Sequence, residues 1–154
     1  MTHMRVLVVD DDPTVNFVSC EILQDCGCQA VGVHCAAAAF EALDNDAKLS
    51  CLVTDIELGG GPDGFAVARR ARLANPCLPV VYISGTAAAR HRSEGVDRSE
   101  FLQKPFQARE FVEVLRRVVS RETGLDEIPT DNSYQEPAAP EVDVRSGTDS
   151  NVWL

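Results

Sequence analysis

The sequence predicts an α/β fold: a doubly wound parallel sheet with helices on both faces. Two observations carry this. Short apolar runs alternate five times with stretches whose apolar residues recur at helical spacing, and such alternation is the mark of βα units in a parallel sheet. The first, third and fourth runs are continuously apolar rather than alternating, as strands covered on both faces are. Right-handed crossovers then leave only a few doubly wound orders.

Val6–Asp10 reads as the first strand, running into the acids Asp10, Asp11 and Asp12. Asp12 is placed to cap a helix that begins at Pro13, whose fixed φ suits a first turn. Val15, Val18, Ile22, Leu23 and Cys26 give that helix its apolar face, and Gly27 ends it. Gln29–Val33 is a short second strand, and Ala36–Leu43 a second helix closed by Asp44-Asn45-Asp46. Cys51–Thr54 is a buried strand that again stops at an acid, Asp55. A glycine-rich loop with Pro62 follows, then a helix facing inward through Phe65, Ala68 and Ala71 and broken at Asn75-Pro76. Pro79–Ile83 is the fourth strand, ending at Ser84-Gly85, and Ala87–Glu94 is a short helix. Phe101–Gln103 is a brief fifth strand before Lys104-Pro105, and Phe111, Val112, Leu115, Val118 and Val119 mark the last helix.

The 154 residues suffice for one domain with a real core, expected over residues 4–122. Residues 123–154 are polar, acidic and proline-bearing without apolar periodicity, and read as a disordered tail or linker. That stretch holds six of the ten net negative charges. An acidic chain argues against direct nucleic-acid binding. No apolar run is long enough to span a membrane and no secretory signal is present, so a cytoplasmic location is expected. The six cysteines lie within apolar patterns and read as small buried hydrophobes with reduced thiols.

The chemistry lies at the strand ends. In a parallel sheet, Asp10 and Asp11, Asp55, Ser84 and Lys104 all leave strands at one edge, where their side chains can converge. Converging carboxylates repel unless a cation lies among them, and Mg²⁺ takes one or two carboxylates, a carbonyl and waters while leaving room for phosphate oxygens. Lysine adds a point charge and serine a hydroxyl donor. The set reads as a site for a phosphoryl group beside Mg²⁺, with a carboxylate as nucleophile.

The stretches V-L-V-V-D-D-D-P, V-T-D-I-E-L, Y-I-S-G and F-L-Q-K-P-F, in this order, resemble the receiver domain of bacterial two-component response regulators, over about residues 4–122. The resemblance implies a flavodoxin-like five-stranded sheet of order 2-1-3-4-5. It implies a phosphoacceptor at Asp55, charged from a sensor histidine kinase or a histidine phosphotransfer protein. It also implies Mg²⁺ held by Asp11, Asp55 and the backbone carbonyl of Glu57, with the neighbouring Asp10 helping through water. Ser84 and Lys104 match the hydroxyl and the lysine that meet the phosphoryl oxygens, and Pro105 follows in what is commonly a cis peptide. Phe101 matches the aromatic that turns inward with Ser84, so that a downstream protein target meets an altered surface formed by the fourth and fifth helices and fifth strand. On this reading the chain is a regulator rather than an enzyme.

Two departures stand out. The family commonly has proline where Gly59 stands, and the loop to Asp63-Gly64 is one residue longer. The Ser84–Lys104 segment is short, which implies an abbreviated fourth helix. Glu57 and Thr86 occupy the variable positions that tune phosphoryl lifetime in the family. Two alternatives remain: a receiver-like binding module that works without phosphorylation, and a haloacid-dehalogenase-like phosphatase. The second rests on Asp10-x-Asp12-x-Thr14 with Asp10 as nucleophile, but it lacks a late acidic pair and leaves Asp55 without a role.

Overall fold

The computed structural model describes residues 4–123. Its elements run β1 (Arg5–Val9), α1 (Pro13–Asp25), β2 (Gln29–Val33), α2 (Ala36–Asn45), β3 (Cys51–Asp55), α3 (Gly64–Ala74), β4 (Val80–Ser84), α4 (Ala88–Glu94), β5 (Glu100–Gln103) and α5 (Ala108–Thr123). The five strands form one sheet in the order β2-β1-β3-β4-β5, and every pairing is parallel. Fold class and strand order are those expected from the sequence. The tail assigned to residues 123–154 lies, beyond Thr123, outside the described residues.

Alternate residues of each strand point to opposite faces of the sheet. Val6, Val8, Val53 and Val81 pack with Ile22, Leu23, Phe111 and Leu115 on the face covered by α1 and α5. Leu7, Val9, Leu52, Val80 and Tyr82 pack with Ala39, Phe65, Val67 and Ala68 on the face covered by α2 and α3. Both faces are dry, which is why the central strands carry no polar alternation.

The helix starts follow local chemistry. The Asp12 carboxylate accepts from the Thr14 and Val15 amides, with Pro13 in the first turn. Asp63 caps α3 by accepting from Ala66 N. Gly27, φ 82°, carries the chain out of α1 in a conformation that L side chains rarely adopt. Helix α4 differs: it is seven residues long with none buried, and its cap residue Ala87 supplies no side-chain acceptor. The shortened segment thus yields an abbreviated helix, the shortest of the five.

The cysteines correct one expectation. All six are free, yet only Cys28 and Cys51 are buried. Cys35 is exposed at the start of α2, where its Sγ accepts from Ala38 N, and Cys77 is exposed in the turn before β4. Their apolar sequence neighbours are buried by the helix and strand beside them, and the cysteines themselves sit at element ends. Among the described residues no helix is long and apolar enough to cross a membrane.

Candidate functional site

The site lies where the carboxyl ends of β1, β3, β4 and β5 meet. Asp10 and Asp11 follow β1, Asp55 closes β3, Ser84 closes β4, and Lys104 follows β5. The parallel register brings these ends level, and backbone bonds from Ile56 N to Ile83 O (3.0 Å) and from Lys104 N to Ser84 O (2.9 Å) extend the ladder past them. Asp10, Asp55 and Ser84 are buried, at 2%, 6% and 2% exposure, while Asp11 is open to solvent.

One carboxylate oxygen from each of Asp10, Asp11 and Asp55 lies within 4.8 Å of the others. Lys104 Nζ stands 2.9 Å from Asp55 Oδ2 and 2.9 Å from Asp10 Oδ2. Its hydrogen-bond geometry is satisfied toward Asp55, whereas buried Asp10 Oδ2 has charge contact but no directed hydrogen bond. The other oxygens are tied to main chain: Asp10 Oδ1 accepts from Asp12 N at 2.9 Å, and Asp55 Oδ1 from Glu57 N at 3.1 Å. Burial, aided by the Asp10 charge, pushes Asp55 up to about 6 against the pull of Lys104 and the Glu57 amide. Burial alone would lower the Lys104 ammonium, but the two carboxylates outweigh it and hold the lysine above its usual range.

Ser84 Oγ accepts from the Thr86 and Ala87 amides at 3.2 and 3.1 Å, leaving its hydroxyl proton to donate. It thereby fixes the turn that leads into α4. Thr86 Oγ1 donates to Glu57 Oε1 at 3.2 Å, which links the loops on either side of Asp55. Phe101, opposite Tyr82 in the β4–β5 register, is half-buried two strands from Asp55. The Lys104-Pro105 peptide is cis.

Two supports of the site were not singled out from the sequence. Asn16, buried in α1, donates through Nδ2 to the carbonyls of Asp10 (3.1 Å) and Val33 (2.8 Å), pinning the turn after β1. Its signal was faint: Asn16, Ser19 and Leu23 share one buried helical face, so a polar residue there needs a partner. Gly64 opens α3 so close to β3 that a Cβ would collide with the Asp55 carbonyl oxygen. Gly64 N donates to Ile56 O at 2.8 Å, and the backbone holding Asp55 is thereby wedged against α3.

The model for the response regulator receiver domain matches residues 6–116. The chain belongs to this receiver family. A response regulator receiver protein, CpdR of Brucella abortus, is 29% identical over 117 residues, covering 75% of this chain and 96% of the relative. A receiver protein of an Anaeromyxobacter species is 32% identical over 123 residues, but this chain spans only 48% of its length. Among solved structures, a response regulator receiver protein of Sinorhizobium medicae superposes with a TM-score of 0.75 at 34% identity, covering 78% of this chain and 97% of that one. CheY4 of Vibrio cholerae, at 21% identity and a TM-score of 0.70, shares the fold. The receiver thus has its place in two-component signalling, as a regulator.

The residues present fit a divalent cation. Three carboxylates offer hard oxygen donors, and one buried oxygen, Asp10 Oδ2, has unused acceptor capacity that a cation would meet.

Proposed function

We propose that this receiver takes a phosphoryl group on Asp55 from the phosphohistidine of a sensor histidine kinase or a histidine phosphotransfer protein in the cytoplasm, and that a downstream protein reads the change. The observation that carries this reading is the placement of Asp55. It closes β3 with one oxygen held by the Glu57 amide and the other bonded to Lys104, and Asp10 and Asp11 lie alongside. A carboxyl near 6 is mostly ionised at neutral pH, as a nucleophile must be.

In the transfer, an Asp55 carboxylate oxygen attacks phosphorus as the P–N bond to imidazole breaks. The bonding pair returns to the ring nitrogen, and Asp55 becomes an acyl phosphate. Mg²⁺, held by Asp10, Asp11, Asp55 and the Glu57 carbonyl, would supply charge neutralisation for the phosphoryl oxygens. Lys104 keeps its place and exchanges a carboxylate partner for a phosphoryl oxygen. Ser84 donates its free proton to another, and Phe101 follows Ser84 inward. The added dianion then reorganises a packing element rather than a whole domain.

The phosphatase alternative, with Asp10 as nucleophile, lacks the late acidic pair that would hold its Mg²⁺ and leaves Asp55 without a task. A module working without phosphorylation would leave the lysine-bridged carboxylates without a task. The test is intact mass after incubation with Mg²⁺ and phosphoramidate, a small P–N donor. Wild type is expected to gain one phosphoryl group, while Asp55→Asn and wild type in chelator gain none. No gain in wild type would overturn the reading.

A further inference from the structure

Helix α4 buries none of its residues, yet one of its side chains is built into the protein. The His91 ring stacks on Phe101 at 5.6 Å between centroids and 26° between planes, and meets Tyr82 at 5.4 Å. Tyr82 in turn meets Phe65, the residue after Gly64, at 5.0 Å. Four rings therefore run without a break from the wedge beneath Asp55, through β4 and α4, to Phe101 on β5.

The ring is also oriented. Ser99 Oγ donates to Val96 O at 2.6 Å, so its contact with His91 Nε2 at 3.0 Å is one in which the imidazole N–H donates. Val96 N donates to the Tyr82 hydroxyl at 3.1 Å, closing the network around the ring. Gly95 makes the space: a Cβ there would lie 2.7 Å from His91 Cδ2. Burial lowers the His91 pKa against the opposing charge of Glu100, favouring the neutral ring that this network needs.

We infer that His91 is a positioning residue of the switch: it latches Phe101 in its half-buried resting pose and ties α4 to β5, so that Phe101 moves only when the stack opens. The switching half of this statement rests on Asp55 as acceptor; the resting half does not. An inward turn of Phe101 must break the His91 contact. The latch therefore opposes activation by the strength of one aromatic pair, about a two- to tenfold effect.

The test combines Phe101 ring signals, read by NMR on phenylalanine-labelled full-length chain, with phosphorylation rate by intact mass from phosphoramidate and Mg²⁺. In His91→Ala the Phe101 signals should shift toward those of a mobile ring, and phosphorylation should quicken about two- to tenfold. His91→Phe, which restores a ring but no donor, should keep the resting signals and rate. His91→Gln, which keeps a donor for Ser99 but no ring, should behave as the alanine variant. Unmoved Phe101 signals in His91→Ala, or a phenylalanine variant as mobile as the alanine one, would overturn the latch. If wild type gains no phosphoryl mass while Phe101 responds to His91→Ala, the acceptor reading fails and the resting latch stands.

Discussion

Lys104 Nζ lies 2.9 Å from Asp55 Oδ2, and the same ammonium lies 2.9 Å from Asp10. One cation therefore holds two buried carboxylates together. Removing it leaves both uncompensated. Lys104→Met is expected to destabilise the chain by roughly 2 kcal/mol in urea unfolding without divalent cation, below the range for fully buried pairs because the mouth admits water. Mg²⁺ should restore more stability to the variant than to wild type. Equal stability with and without the lysine would show that the pair is structurally idle.

Asp55 sets a pH dependence with a definite sign. Its carboxyl is raised to about 6 in the folded chain from 3.8, so the folded state binds this proton more tightly than the unfolded state does. Its contribution to stability is fully present below pH ~4 and is lost as pH rises through ~6. Asp55→Asn removes that loss. At pH 7 without Mg²⁺ the variant should be the more stable, by on the order of 1 kcal/mol after solvent screening, with the difference vanishing toward pH 4. The check is the difference between the two stability–pH curves; a variant less stable at every pH would contradict it.

Mg²⁺ binding tests the acids further. Isothermal titration should show clear weakening in both Asp10→Asn and Asp11→Asn. Each variant removes one of the three clustered carboxylates. Unchanged affinity in Asp10→Asn would place the cation elsewhere.

The turn after β1 gives a test of packing. A Cβ at Gly32 would run into Asn16 Oδ1, and Asn16 holds the Asp10 and Val33 carbonyls. Asn16→Ala should cost about 1 to 2 kcal/mol by removing the side-chain donor to the Asp10 carbonyl and the second donor to the Val33 carbonyl, which keeps the Asp10 amide. Gly32→Ala should cost a similar amount in wild type, through overpacking, and clearly less in the Asn16→Ala background. Strict additivity in urea unfolding would contradict the contact.

What could be read from the sequence follows from these same contacts. Asp10, Asp11, Asp55, Ser84 and Lys104 were legible because a parallel sheet puts every strand's carboxyl end on one edge, so order along the chain implies nearness in space. Strand order came from the family resemblance, since alternation alone leaves several windings open. The supports were harder. Asn16 looks like any polar helix residue until its partners are known, and the Glu57–Thr86 link joins residues far apart in sequence. Cys35 and Cys77 misled because apolar neighbours signal burial of the element and not of its ends. His91 carried no sign of its role, which depends on three rings and a serine supplied by other segments.

The proposed nucleophile is Asp55 and not one of the acids after β1. Hydride trapping tests it most directly: borohydride reduces an aspartyl phosphate to homoserine, and peptide mass mapping locates the product. After phosphoramidate and Mg²⁺, homoserine is expected at position 55 and unmodified aspartate at positions 10 and 11. Homoserine at position 10, or at none of the three, would contradict it.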